Sequence, residues 1–361
     1  MRIATHATGD TRRRALARGL RNRSPLILVA AALLTVAALA GLQWFVASGA
    51  FTVIPERLIL RLPNDDDVHV SYLIAELKRT PPTTPVVYLL GGSGTMEMIR
   101  SDDVLAGAIS ADTGTSLRVM SLAAHRQSIG ETLALIDNLP RGHGLLAIGL
   151  SPNRFLTAPN SDASQVSGWP LALTSPHLAA ELAGRTSLKE PLPGLLTGVF
   201  RFSASYLDGR LLMRSPDLLP ISYADHYFTD GPVASLATKK TDSATDLARE
   251  RPLYAASIAY NLSVLAEAVR LGREKGYAVT FFEQPLAPQA SGPAWDAYLA
   301  TYRSDVAGVR RMLEVPDVEV QPQARLSSRD FADLFHLVDS GRDKWTPPFA
   351  RALARVLKKA G

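Results

Sequence analysis

Two short stretches carry residue types that together can do acyl chemistry. The first is Gly91-Gly92-Ser93-Gly94-Thr95-Met96-Glu97, directly after the apolar run Val86–Leu90. A serine at a tight strand-to-helix turn presents its hydroxyl at the carboxyl edge of a sheet. Flanking glycines let backbone approach a ligand, and a helix N-terminus favours developing negative charge. That setting suits a nucleophile, with the backbone N–H of Gly94 facing the oxyanion of its acyl intermediate. A phosphate-binding turn is the alternative, although neither Gly-Lys-Ser/Thr nor Gly-x-Gly-x-x-Gly accompanies it. The second stretch is Phe331-Ala-Asp333-Leu-Phe-His336-Leu-Val-Asp-Ser-Gly341. Asp333 and His336 fit on one loop or single turn, where the carboxylate fixes the imidazole tautomer and stabilises the imidazolium formed in turnover. A pair of surface residues ahead of a helix is the alternative reading.

The chain around these stretches alternates strand and helix. Val86–Leu90 is a continuous apolar run, the pattern of a strand buried on both faces, and the largely apolar Leu117–Leu122 and Leu145–Leu150 read likewise. Ser128 to Leu139 has apolar residues at helical spacing and a Ser128/Glu131 capping signature. A helix over Ala255 to Arg273 precedes a fourth strand, Ala278–Phe282, and a last helix runs from about Pro347 to Lys358. Repeated βα units imply an α/β fold with a doubly wound parallel sheet, whose ligands gather at the carboxyl ends of the strands. Ser93 and the Asp333/His336 loop then share one face. Residues 152–250 interrupt this rhythm and read as a long insertion over that face, with a short helix over His177 to Ala183.

Four divisions of the chain are legible, three of them before the sheet. Residues 1–24 hold seven arginines against one aspartate. Residues 25–48 form an apolar segment long enough to cross a bilayer as a helix. Residues 49–85 are a juxtamembrane linker and packing segment, with a strand over Ile54 to Leu62, a turn at Asn64–Asp67 and a helix over Val68 to Leu77. Residues 86–361 are the α/β domain. The formal charge of +5 belongs to the arginine-rich tail, so the body lacks the basic face that nucleic acid requires. The positive-inside rule places the N-terminus in the cytoplasm and everything after residue 50 outside. A cleaved signal peptide is the alternative to this uncleaved single-pass anchor.

With no cysteine in the chain, thiol nucleophiles, disulfides, iron–sulfur clusters and cysteine zinc sites are excluded. No His/Asp/Glu grouping has metal-ligand spacing, and no motif asks for a cofactor. His125, just after the second strand, either lines the pocket or packs structurally, and His143 in Arg-Gly-His-Gly is a turn residue. Gln284 ends the fourth strand on the active face and is a candidate substrate contact.

Taken together, Gly92-Ser93-Gly94 near the start and Asp333-Leu-Phe-His336 near the end resemble the SGNH hydrolase superfamily. Within it, the chain is most similar to the DltD-like membrane-anchored D-alanine transfer proteins, through Ser151-Pro152-Asn153-Arg154-Phe155, Asp333-Leu-Phe-His336-Leu337 with Gly341 and Trp345, and the single N-terminal anchor. Alginate-type polysaccharide O-acetyltransferases share the weaker pattern. The resemblance implies a flavodoxin-like sheet and a Ser93/His336/Asp333 triad. It implies an oxyanion site built from Gly94, the backbone N–H of Ala123 and the side chain of Asn153. The superfamily's Gly-Asp-Ser turn is departed from at Gly92, and Gly-x-Asn-Asp has no literal copy. The implied activity is extracytoplasmic O-acyl transfer to a cell-envelope glycopolymer, in cooperation with a multispanning membrane-bound O-acyltransferase (MBOAT). An acyl esterase on the same substrates, and a non-catalytic scaffold of a polysaccharide assembly complex, are the competing expectations.

Overall fold

Every residue of Val86–Leu90 is buried, as a strand covered on both faces must be. This strand, β1, is the second in a five-stranded, wholly parallel sheet in the computed structural model, which describes residues 25–168, 174–186, 221–224, 226–229, 236–320 and 324–360. The others are β2 (Arg118–Ser121), β3 (Gly144–Leu150), β4 (Ala278–Glu283) and β5 (Asp317–Val318), in the order β2-β1-β3-β4-β5. The register is regular: Val87 lies opposite Val119 on one side and Leu145 on the other, and Ala147 opposite Thr280.

The helices, in chain order, are α1 (Pro25–Ala47), α2 (Glu56–Ile59), α3 (Asp66–Arg79), α4 (Ser93–Met96), α5 (Asp102–Thr113), α6 (Ile129–Asn138), α7 (Pro159–Gly168), α8 (Pro176–Leu182), α9 (Leu236–Glu274), α10 (Pro293–Met312) and α11 (Asp339–Ala360). Because crossovers between parallel strands are right-handed, leftward and rightward steps put their helices on opposite faces. The step from β1 to β2 places α5 on one face, where it packs with α11. The step back across β1 to β3 places α6 on the other, packed with α9. Between β1 and β3 the winding changes direction, which opens a crevice at their carboxyl ends. Ser93 sits at that point.

Several elements match the sequence pattern. The capping box at the head of α6 is present, with Ser128 and Glu131 each satisfying the other's backbone N–H. The helix expected over Val68–Leu77 is α3, although it starts at Asp66 inside the expected turn. The strand expected over Ile54–Leu62 is instead a 3-10 turn, Ala50–Val53, followed by α2. At the edge strand β2, the Ser121 N–H donates to Asp102 Oδ2 at 2.8 Å, which occupies one of the edge's donors. Phe51, Ile59 and Leu60 turn inward and join Val68, Tyr72 and Ala75 in a small core separate from the main one.

The insertion is more regular than its composition suggests. It contains α7, α8 and the first turns of α9, which begins near 236 rather than near 255. Its central portion, 187–220, lies outside the described residues, as does the basic tail 1–24. Residues 221–224 and 226–229 return across the juxtamembrane segment to the carboxyl edge of the sheet.

Candidate active site

Ser93 is the first residue of α4, and Gly92 is its N-cap in extended conformation. The first turn closes with Thr95 N–H on Gly92 O at 2.8 Å, so the N–H groups of Ser93 and Gly94 precede the internal ladder, as at every helix start. Gly94 is required by crowding. A Cβ there would stand 2.8 Å from Gln284 Oε1 and 3.2 Å from Phe335 O, so a side chain would push the histidine loop off the serine turn.

That loop is a small hairpin. Phe331 and Leu337 pair in antiparallel fashion, Ala332 N–H donates to His336 O at 2.9 Å, and Val338 N–H donates to Asp330 O at 3.0 Å. At its tip, Asp333 Oδ1 accepts the N–H groups of Phe335 and His336 at 2.8 and 2.9 Å, while its Oδ2 lies 2.7 Å from His336 Nδ1. The other imidazole nitrogen, Nε2, lies 2.8 Å from Ser93 Oγ. The three residues singled out from the sequence thus form one connected chain of hydrogen bonds between segments 243 positions apart.

Electrostatics keep the carboxylate ionised. Partial burial pushes the Asp333 carboxyl up, but the hydrogen bond and charge of His336 and the two backbone N–H groups outweigh it and hold the group below its ordinary value. The Asp333 side chain is 47% exposed and that of His336 15%, so the relay reaches water at its carboxylate end.

The remaining candidates fall in different places. Asn153 stands on the 3-10 turn Pro152–Phe155 just past β3, exposed, with its side-chain oxygen accepting from Ser151 Oγ. Its amide nitrogen is left to face solvent at the same sheet edge as Ser93. Gln284 is 3% exposed and its Nε2 donates to Thr95 Oγ1 at 2.6 Å. It braces the serine turn from within. Ala123 lines a small cavity with His69, Met96 and Tyr223. The N–H groups of Leu122 and Ala124 are spent on Leu89 O and Gly91 O, and strand alternation turns that of Ala123 away from β1 and the serine turn. The placement that the resemblance implies for Ala123 is therefore not what the structure has, because the strand continues extended past Ser121. His125 donates its N–H to Asp66 Oδ2 at 2.7 Å and sets its ring edge-on to Tyr227. Burial, then Arg126, lowers its pKa; Asp66 acts against this, and the His336 charge adds to it.

Five contributors were not read from the sequence. Glu97 and Arg342 form a buried ion pair, and Arg342 also donates to Glu97 O at 3.0 Å and to Phe228 O. A cation in the first turn of a helix runs against the macrodipole, and that oddity at Arg342 was the available signal. The strap 226–229 is fastened by Tyr227, whose N–H donates to Glu97 Oε1 at 2.5 Å and whose hydroxyl donates to the Asp66 carboxylate at 2.6 Å. It brings the Phe228 ring to 5.2 Å from the His336 ring, tilted by 38°. No local pattern marks Asp66, Tyr227 or Phe228 for these contacts.

A larger cavity, about 420 Å³, opens between α10 and the β4–β5 edge, lined by Glu283, Arg303, Arg310 and Asp317. Neither Ser93 nor His336 borders it, and its charged groups pair with one another, Arg303 with Glu283 and Arg310 with Asp317. Among the described residues no three His, Asp or Glu side chains converge as a metal site would need. Comparison with known proteins adds no relative: no family model matches the chain, and no curated protein matches it.

Proposed function

We propose that the chain is an SGNH-type serine acyltransferase, anchored by α1 with its body outside the cytoplasm, that modifies a cell-envelope glycopolymer. The observation that carries the reading is the hydrogen-bonded series Ser93 Oγ, His336 and Asp333 at the carboxyl edge of a parallel sheet. In this scheme Ser93 attacks the acyl carbonyl of a donor ester while His336 Nε2 takes the serine proton. Asp333 holds the imidazole and stabilises its charged form. The N–H groups of Ser93 and Gly94, with the Asn153 amide, face the oxyanion. His336 returns the proton to the leaving alcohol, and the acyl group remains on Ser93. A glycan hydroxyl then enters and loses its proton to His336, which passes it to the departing Ser93 Oγ as the acyl group leaves in a new ester. A multispanning MBOAT-type partner would supply the donor at the membrane surface. Helix α1 supports an anchored body: it is 23 residues of apolar sequence and the 18-residue window Pro25–Leu42 is unburied by the rest of the protein.

Hydrolysis is the second reading: it passes through the same acyl-serine, with water in place of the glycan hydroxyl as the acceptor. The full-length chain in detergent should be labelled by a fluorophosphonate at Ser93, and a Ser93→Ala variant should not. With a chromogenic acyl ester, rising yield of acylated glycan at the expense of free acid marks transfer. Free acid alone, whatever glycan is supplied, marks an esterase. Absence of labelling in folded protein would defeat both.

A further inference from the structure

Residues 51–62, after the neck of the anchor, carry apolar side chains on two sides, and among the described residues only one side packs into the protein. Phe51, Ile59 and Leu60 point inward, at 5%, 7% and 0% exposure. Val53, Ile54, Leu58 and Leu62 point outward, at 69%, 39%, 43% and 45%. Four exposed aliphatic side chains this close together in one segment are unlike the scattered single residues of an ordinary surface.

Their position says what should cover them. Helix α1 ends at Ala47, with Trp44 67% exposed in its last turn, where an interfacial aromatic belongs. The chain then bends at once. Gly49 has φ 71°, and a Cβ there would stand 2.8 Å from Ala75 O, so the turn is pressed directly against α3. Tyr72 of α3 donates its hydroxyl to Thr52 O at 3.0 Å, and Phe45 of α1 packs on the same small core. The end of the membrane helix is therefore locked to the body by packing, with no slack linker between them. Val53 is six positions beyond Ala47, and a fully extended chain of that length spans about 20 Å; the bent neck spans less. Val53 and Ile54 are thereby held close to the end of α1.

We propose that Val53–Leu62 is a collar that seats the body on the outer leaflet, with Val53, Ile54, Leu58 and Leu62 in the boundary between headgroups and acyl chains. The inference rests on the reading of α1 as a membrane anchor and deepens it. It assigns the membrane-facing surface, and with it the height of the site. The middle of the collar and the residue just past it hold residues 221 and 224: Ile221 N–H donates to Arg57 O at 2.9 Å and Ala224 N–H to Pro63 O at 2.7 Å. A few residues on, Phe228 meets His336. Seating the collar thus sets the catalytic cleft beside the leaflet, within reach of an acyl donor handed over at the membrane surface.

The absence of native cysteine makes the test direct. Val53→Cys, Leu58→Cys and Leu62→Cys, each labelled with NBD in the full-length chain, are reconstituted in phosphatidylethanolamine/phosphatidylglycerol vesicles with and without brominated acyl chains. Labels buried at the headgroup boundary should be quenched about twofold or more by the brominated lipid. A label at Met312→Cys, 61% exposed beside β5 at the opposite edge of the sheet from β2, should not be quenched. Ala40→Cys, inside α1, reports the anchor separately. Quenching at 40 with none at 53, 58 and 62 overturns the collar and leaves the anchor standing. No quenching at 40 overturns both. Equal quenching at 312 and at the collar also overturns the proposal, because it reports adsorption without orientation.

Discussion

Glu97 and Arg342 cross-brace the two halves of the hydrogen-bonded series Ser93–His336–Asp333. They are 245 positions apart and meet as a buried ion pair, while Ser93 and His336, on the same two segments, are 243 apart and share a hydrogen bond. The brace runs behind the relay and the relay runs in front. Removing one side leaves Arg342 with Asp339, or Glu97 with His226 at 3.7 Å, so each loss should lie at or below the about 3–5 kcal/mol of a buried pair broken outright. Glu97→Gln and Arg342→Met should each lower the apparent melting temperature markedly, and the double variant should lose much less than the two losses added. A thermal-shift double-mutant cycle measures this.

Ser93→Ala and His336→Ala should each reduce ester turnover by about 10⁴-fold or more, and the double variant should be no worse than either, because residues acting as one unit do not contribute additively. Initial rates with a chromogenic ester decide it.

Asp333→Asn should lower kcat by about 10³–10⁴-fold, since an amide at this position selects the wrong imidazole tautomer. Because the carboxyl is held below its ordinary value, it stays ionised at every pH above the usual carboxylate range. The wild-type activity profile should therefore show no carboxylate limb above about pH 4. The Asp333 carboxyl carbon followed by NMR isolates this group from the imidazole, and a midpoint above about pH 4 would mean that Asp333 does not feel His336 as the geometry requires.

Phe228→Ala removes a wall of the His336 ring without touching Ser93. The expected result is a fall in kcat of about 10- to 100-fold, as for a modest misplacement of a catalytic group, with KM and melting temperature nearly unchanged. Phe228→Tyr should retain most of the activity. Equal losses in both variants, or a loss that follows melting temperature, would assign Phe228 to packing alone.

Asp67 gives a stability prediction with a definite sign. Burial first, then the charges of Glu131 and Asp65, push its carboxyl up to about 7. The folded state therefore holds a proton that the unfolded chain releases, and the charged form weakens the fold above that value. Asp67→Asn should stabilise at pH 8 by about 1 kcal/mol after allowance for solvent screening. The gain should shrink as pH falls through 7 and vanish near pH 4. Melting temperatures measured across that range test it.

The relay and four of the five strands were legible because their signals are local. A buried parallel strand is a short apolar run, and Asp333 with His336 is a pair three positions apart on one turn. β5 has two residues, too few for any periodicity. The Ile54–Leu62 stretch has enough aliphatic side chains for a strand, but only packing against Val68 and Tyr72 decides which face is used. Ala123 failed for a related reason: whether a chain leaves the sheet one residue earlier or later flips its N–H, and sequence does not time that exit. Gln284 was placed at the right strand end, yet its partner, Thr95, lies 189 positions away. The strap was beyond reach altogether, because Tyr227 and Asp66 are 161 positions apart and neither has a flanking pattern.

The hairpin at 331–337 also bears on when reactivity appears as the chain matures. Asp333 and His336 can find each other within a few residues of backbone, at little loop-closure cost, before the sheet exists. Ser93 cannot join them until β1, β3 and β4 have assembled and both ends of the domain have met, a contact of high sequence separation that forms late. On the proposed reading, activation of Ser93 is thus a property of the finished tertiary structure alone. A partly synthesised, clipped or half-refolded chain carries an oriented imidazole with nothing to activate, so labelling of Ser93 doubles as a report that the whole domain has closed.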